Sequence, residues 1–380
     1  MAEVTATALE LASGKPFGEQ PCAPLPRVGP GITARSALED AIRPALVPGP
    51  CLTGFSGGRD SSAILAVAMH VARREGLPLP VPVTIRYPGV IDADESAWQE
   101  LVVRHLGVDD WVRIDVDDEL DYLGPLATRL LRRHGVMWPP YFHYEHVLLE
   151  QAAGGVLLSG HDGDGVFGSF PWARFRALRR RERRPRRSDV LPLARVMAPG
   201  RLRDWEARLH HLPLPWLQPN ARHTVETGVA LEQASQPRRW DDWVSWLARR
   251  RSLALALSTI DTLARECGAQ TAHPFLDPRF LAALASEGGS VGWGERTEMM
   301  QALFSDVLPA EVVRRTVKSS LGGGFWRSAS RSFAAEWDGH GVDEEMVDPA
   351  ALRMAWTAHR PKIGAIAVLQ SAWLASDVVG

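Results

Sequence analysis

Cys51-Leu52-Thr53-Gly54-Phe55-Ser56-Gly57-Gly58-Arg59-Asp60-Ser61-Ser62-Ala63-Ile64-Leu65-Ala66-Val67-Ala68 is the stretch from which the fold is read. Its first five residues run like a buried strand and its last six like a helix. Two glycines, three serines and an aspartate lie between them. Glycine takes positive φ and lets the backbone approach a ligand. Unpaired amides at the start of a helix, joined by serine hydroxyls, form an anion site. Phosphate is the expected guest, with Ser56, Gly57, Gly58, Asp60, Ser61 and Ser62 as candidate phosphate-site residues. The loop has neither the lysine of GxxxxGK[ST] nor the spacing of GxGxxG.

The rest of the chain supplies a large globular setting. Its 380 residues can bury a substantial core, and a 45% hydrophobic and 23% charged composition is that of an ordinary globular protein. A net charge of −2 gives no general attraction to nucleic acid or membrane. Cys22, Cys51 and Cys267 are scattered, without a CxxC pair, which argues against metal knuckles and disulfide frameworks. A reducing cytosol is expected. No leader-like start and no apolar run of about 20 residues is seen.

Outward from the central stretch, strand and helix patterns alternate. Residues 1–30, rich in Pro and Gly, read as an extended arm, and Ser36–Ile42 begins an amphipathic helix. Val81–Arg86, Trp111–Val116 and Gly155–Ser159 are further strand candidates, with helices expected from Asp94 to Leu106 and over 119–135. This alternation predicts an α/β fold with a parallel twisted sheet covered by helices on both faces. A mostly helical C-terminal half follows. The expected division is residues 1–48 as arm and leading helix, 49–172 as nucleotide-binding core, and 173–380 as the helical substrate side. In such sheets ligands bind beyond the carboxyl ends of the strands, where Ser56 and Ser159 both fall. The basic run Arg174–Arg187 reads as a solvated segment, and Trp240, Trp243 and Trp246 as a buried helix face.

A second constellation, Leu157-Leu158-Ser159-Gly160-His161-Asp162-Gly163-Asp164-Gly165-Val166-Phe167-Gly168, ends a strand in a turn with two carboxylates and a histidine. Carboxylates beside a phosphate loop are electrostatically sensible when a divalent cation lies between them. Mg²⁺ takes one or two carboxylates plus substrate phosphates.

Here the resemblance becomes specific. The first loop resembles the SGGxDS loop of the PP-loop (adenine-nucleotide α-hydrolase-like) synthetases, which split ATP between its α and β phosphates. The chain as a whole resembles the synthetase domain of the asparagine synthetase family, to which β-lactam synthetase and the lasso-peptide cyclases belong. Ser159 to Gly168 is similar to that family's SGEGxDExFG segment, and His273-Pro274-Phe275-Leu276-Asp277 to its PFLD element. Leu308-Pro309 with Arg315 and Lys318 is similar to its LPxxxxxRxxK stretch. The resemblance implies ATP and Mg²⁺, with Ser159 and Gly160 on the nucleotide, Asp60 and Asp164 on the metal, and Lys318 stabilising charge during catalysis.

The departures set the expected chemistry. Full-length relatives carry a glutaminase domain with a cysteine after the initiator methionine. Ala2 stands there, and too few residues precede the first strand for such a domain, so ammonia is not expected from glutamine on this chain. His161 replaces the glutamate of SGEG, while Gln270 and Ala272 replace the glutamate and arginine of ExRxPFLD. The implied activity is therefore amide synthesis on another substrate: a small-molecule or peptide carboxylate is adenylated, an amine attacks, and AMP and pyrophosphate leave. A lactam, macrolactam or lasso-peptide-like product fits.

His161 has two readings, a general base oriented by Asp162 or a hydrogen-bonding residue of a polar turn. Two rivals to the synthetase stand beside it, a PP-loop enzyme acting on RNA and a catalytically altered partner protein. No nucleic acid or membrane partner is expected, and a partner protein or homodimer is left open.

Overall fold

A computed structural model describes residues 4–47, 49–168, 212–317, 322–358 and 361–379. Five parallel strands form one sheet: β1 (Cys51–Gly54), β2 (Val81–Arg86), β3 (Val112–Asp115), β4 (Val156–Leu158) and β5 (Gln270–Ala272). Their order is β3-β2-β1-β4-β5, so β1 is central and the chain reverses direction of growth between β1 and β4. Ligands of such sheets bind at that switch point. Both chemical loops leave it, one from each strand.

The sheet is covered on both faces because its central strands are apolar on both. Cys51 and Leu52 of β1 are both buried but belong to different cores, as do Val156 and Leu157 of β4. Period-two side chains make that split inevitable. One face carries α2 (Ala34–Ile42), α3 (Arg59–Glu75) and α4 (Ser96–Leu106). The other packs α5 (Pro125–His134), α6 (His143–Gln151) and the later helix Arg251–Cys267. Trp240, Trp243 and Trp246 are all buried in the first core, as their spacing predicts.

Two local expectations give way. The span 119–135 is helical only from Pro125. Before it, the amide of Gly124 bonds Asp121 O in a turn, and Pro125 supplies a favourable first helical residue. Residues 1–30 are not wholly extended: α1 (Ala8–Ser13) is closed by a capping box of Thr7 and Glu10. Glu10 also meets Arg251 at 2.5 and 2.8 Å, and Trp216 donates to Ala12 O at 2.8 Å, which docks the arm on the helical half. That half is mostly helical, as expected, and also contributes β5, three residues paired to β4. The Arg174–Arg187 run lies outside the described residues.

Candidate active site

The phosphate-type loop is built as its spacing requires. Gly57 holds φ at +83°, and a Cβ there would lie 2.8 Å from Gln99 Cγ, so glycine meets both demands. Ser56 and Ser61 hydroxyls lie 3.1 Å apart, and the Gly58 amide donates to Ser56 Oγ at 3.3 Å. Gly58 caps α3 without a side-chain bond, leaving the first turn the form of an anion site. The loop is clamped from behind. Arg315 forks onto Glu95, with one bond of 2.5 Å, donates to Gly57 O at 3.1 Å, and lies 4.6 Å above the Trp98 ring. Both members of the Arg315–Glu95 pair are about 7% exposed. Breaking so buried a pair costs about 3–5 kcal/mol, which makes it a strong brace for the loop.

The second loop presses against the first. A Cβ on Gly160 would meet the Asp60 carbonyl carbon and the Ser61 amide at 2.9 Å, and one on Gly163 would collide with the Asp60 carboxylate. Small residues at these two positions therefore bring Asp60 and Asp164 together. Arg296 bridges them, meeting Asp60 at 2.6 and 2.8 Å and Asp164 through its other nitrogen. Burial opposes the charge on Arg296, yet the two carboxylates outweigh it and raise its pKa. Asp60 and Asp164 are oxygen donors of the kind Mg²⁺ takes beside substrate phosphates, and Arg296 fills the space between them here. No cluster of three or more His, Cys, Asp or Glu ligands occurs among the described residues.

His161 does not face Asp162. Its Nε2 lies 2.9 Å from Glu145 Oε1, on a helix sixteen residues back in sequence. Burial favours the neutral imidazole, but the Glu145 charge wins and holds the pKa above the usual histidine value. Burial likewise works against the Glu145 carboxylate, and His161 more than compensates, lowering its pKa. Asp162, in left-handed conformation at φ 56°, is turned to Arg250 at 2.7 and 2.9 Å. The orienting contact expected of Asp162 is thus made by Glu145, because the αL turn carries the aspartate toward the guanidinium. His273 donates or accepts at Ser159 Oγ over 2.7 Å and packs 5.4 Å from the His161 ring. Burial, with the neighbouring imidazolium, pushes His273 down to about 3, so it is neutral.

Both loops, with Glu95, Glu145, Arg296 and Arg315, line one cavity of about 810 Å³ at the strand ends, while His273 and Arg250 do not border it. Ser56, Gly58, Asp60, Ser61, Ser159, Gly160, His161, Asp162 and Asp164 all reach it. Two candidates do not. Ser62 is fully buried under α3, its amide bonding Gly58 O as the first helical bond, because a helix turns it away from Ser61. Gly57 shapes the loop and gives its carbonyl to Arg315 rather than lining the cavity. Lys318 lies outside the described residues. Sequence reasoning missed Arg296 and Glu145. Arg296 merely opens a helix after Glu295, and Glu145 sits in an aromatic helix start, so neither carried a motif.

A family model described as asparagine synthase matches residues 33–375. The chain belongs to the asparagine synthase family. Members of the asparagine synthase family are ATP-dependent ligases that form amide bonds. No curated protein matches the chain. Among the described residues no helix is long and apolar enough to cross a membrane.

Proposed function

We propose that the chain adenylates a carboxylic acid and passes the acyl group to an amine, as an asparagine synthase relative that makes an amide other than free asparagine. One observation supports this most: the phosphate loop, the Asp60–Arg296–Asp164 bridge and the Glu145–His161 pair share one cavity. The loop amides and Ser56, Ser61 and Ser159 bind the nucleotide. Asp60 and Asp164 hold Mg²⁺, which when bound screens phosphate charge. Arg296 is positioned to meet the negative charge growing on the pyrophosphate leaving group.

In the first half-reaction a carboxylate oxygen bonds the α-phosphorus, the bond to the bridging oxygen breaks, and pyrophosphate leaves with the electron pair. In the second, the amine nitrogen bonds the acyl carbon, the carbon–oxygen bond to AMP breaks, and the amine loses a proton. With Nε2 turned to Glu145, Nδ1 of His161 is the atom that takes this proton. Glu145 positions the ring. A lactam or macrolactam product, formed within one small molecule or peptide, fits the replacement of the ExRxPFLD residues by Gln270 and Ala272. The test is the nucleotide product. Turnover should yield AMP and pyrophosphate in equal amounts, and ADP with phosphate would sink the reading.

A further inference from the structure

The chain has only four tyrosines, Tyr87, Tyr122, Tyr141 and Tyr144, and all four line the cavity. They come from three separate segments of the α/β half, and Phe325 and Trp326 of the helical half close over them. Tyr122 stacks on Phe325 with centroids 5.5 Å apart and planes 26° from parallel, and Tyr141 stacks on Tyr144 at 6.2 Å and 14°. Gly324 is needed for this closure, since a Cβ there would stand 2.6 Å from the Tyr87 ring.

These rings pack together, with Tyr122, Phe325 and Trp326 almost fully buried, yet their packing leaves phenol hydroxyls unsatisfied. Buried phenols normally find a hydrogen-bond partner. The hydroxyls of Tyr87, Tyr122 and Tyr141 make no hydrogen bond among the described residues, and none is a sealed, unpartnered buried atom. They therefore border open space. The charges of the cavity lie elsewhere. Arg296 and Arg315 are held by carboxylates at the phosphate-loop end, Arg59 leans on Thr297 at 3.4 Å, and His161 is paired with Glu145. Among the described residues no cation faces the tyrosines that could hold a second carboxylate, and the nearest charge, on Glu145, would repel one.

Resting on the synthetase reading, we infer that this aromatic chamber selects the acyl donor: an acid with a single reacting carboxylate on an aromatic body, seated among the tyrosines before the amine arrives. An aryl acid and an aromatic side chain of a peptide share that chemistry. Offset or edge-on stacking favours a ring over a saturated isostere. Free aspartate, which has no ring, gains nothing from this stacking.

The test uses the full chain with 3-phenylpropanoic acid, 3-cyclohexylpropanoic acid, L-aspartic acid and an N-acetyl tripeptide ending in phenylalanine. Binding is read without ATP by saturation-transfer NMR titration, and adenylation by acid-dependent exchange of pyrophosphate into ATP. The phenyl acid should bind roughly two- to tenfold more tightly than its cyclohexyl analogue and at least about tenfold more tightly than aspartate. Tyr141→Leu should erase the ring preference without changing affinity for ATP, and Tyr141→Phe should restore it. Tighter binding of the peptide assigns the ring to a peptide side chain, and tighter binding of the free acid assigns it to a small aryl acid, both within the inference. Aspartate binding as well as the phenyl acid, an unchanged preference in Tyr141→Leu, or no binding of any aryl probe at millimolar concentration would overturn it. Ring-selective binding without exchange for any acid would leave the chamber standing and count against the synthetase reading alone.

Discussion

The two ends of the cavity are made in opposite ways. The phosphate-loop end takes its loops from two short contiguous segments, Ser56–Ser61 and Ser159–Asp164, each leaving a neighbouring strand, and Arg296 and Arg315 reach in from the helical half. It is polar and tied by short-range bonds, such as Ser56 to Ser61 and Gly58 to Ser56. The aromatic end draws on residues more than two hundred positions apart, from Tyr87 to Trp326, and is held by ring packing. The contrast assigns different tasks: holding phosphates needs backbone amides and small residues in a local motif, whereas selection among substrates needs only a shaped surface, which any segment can supply. Glu145 and His161 stand at the border between the ends.

Losing the charge at the first end should have the largest effect. Asp164 is 52% exposed, so Asp164→Ala should fold with a near wild-type melting temperature. It should nevertheless lose acid-dependent pyrophosphate exchange by at least about 10²-fold, the scale of removing one preorganised electrostatic group. Exchange within a few-fold of wild type would move the nucleotide chemistry away from this end.

The border is sharpened by separating the half-reactions. His161→Ala should keep much of the exchange while slowing amide formation by roughly 10²–10⁴-fold, the usual worth of a positioned base. Equal loss of both activities would place His161 in the nucleotide site instead. Product formation at the wild-type rate would take it out of the reaction.

The smallest expected effect is a shift in pH dependence. His161 has a raised pKa, so it is protonated against Glu145 at low pH and becomes a base only as pH rises above the usual 6.5. Glu145→Gln removes the opposing charge and leaves burial to lower the pKa, so the acidic limb of amide formation should move to lower pH. An unmoved limb would deny Glu145 its positioning role. Stability follows with its own signs. The Glu145 contribution is present above its unfolded value of 4.5 and lost as pH falls through the lowered folded value, while that of His161 is present below 6.5 and lost as pH rises through the raised one. The pair stabilises most between those two values.

The sequence by itself determined the central strand, the phosphate loop, the parallel α/β class and the meeting of Ser56, Asp60, Ser159 and Asp164. The strand, the loop and the class follow from period, glycine geometry and the rule that ligands gather at strand ends, all of which act within a few residues or through strand order. The pairing of Asp60 with Asp164 rests on the family resemblance. Even the Trp240 stripe was legible, because 3.6-residue spacing alone buries it. Tertiary structure decided where each charge turns. Asp162 is adjacent to His161 in sequence, yet Arg250, eighty-eight residues away, takes it. Glu145 takes the imidazole and Arg296 takes both aspartates. Three-residue β5 is also a tertiary product, since so short a strand exists only where β4 offers a free edge. The reason is common to all of these. A buried charge or an unpaired strand edge pairs with whatever reaches it at the least desolvation cost, and what reaches it is known only once the chain is folded.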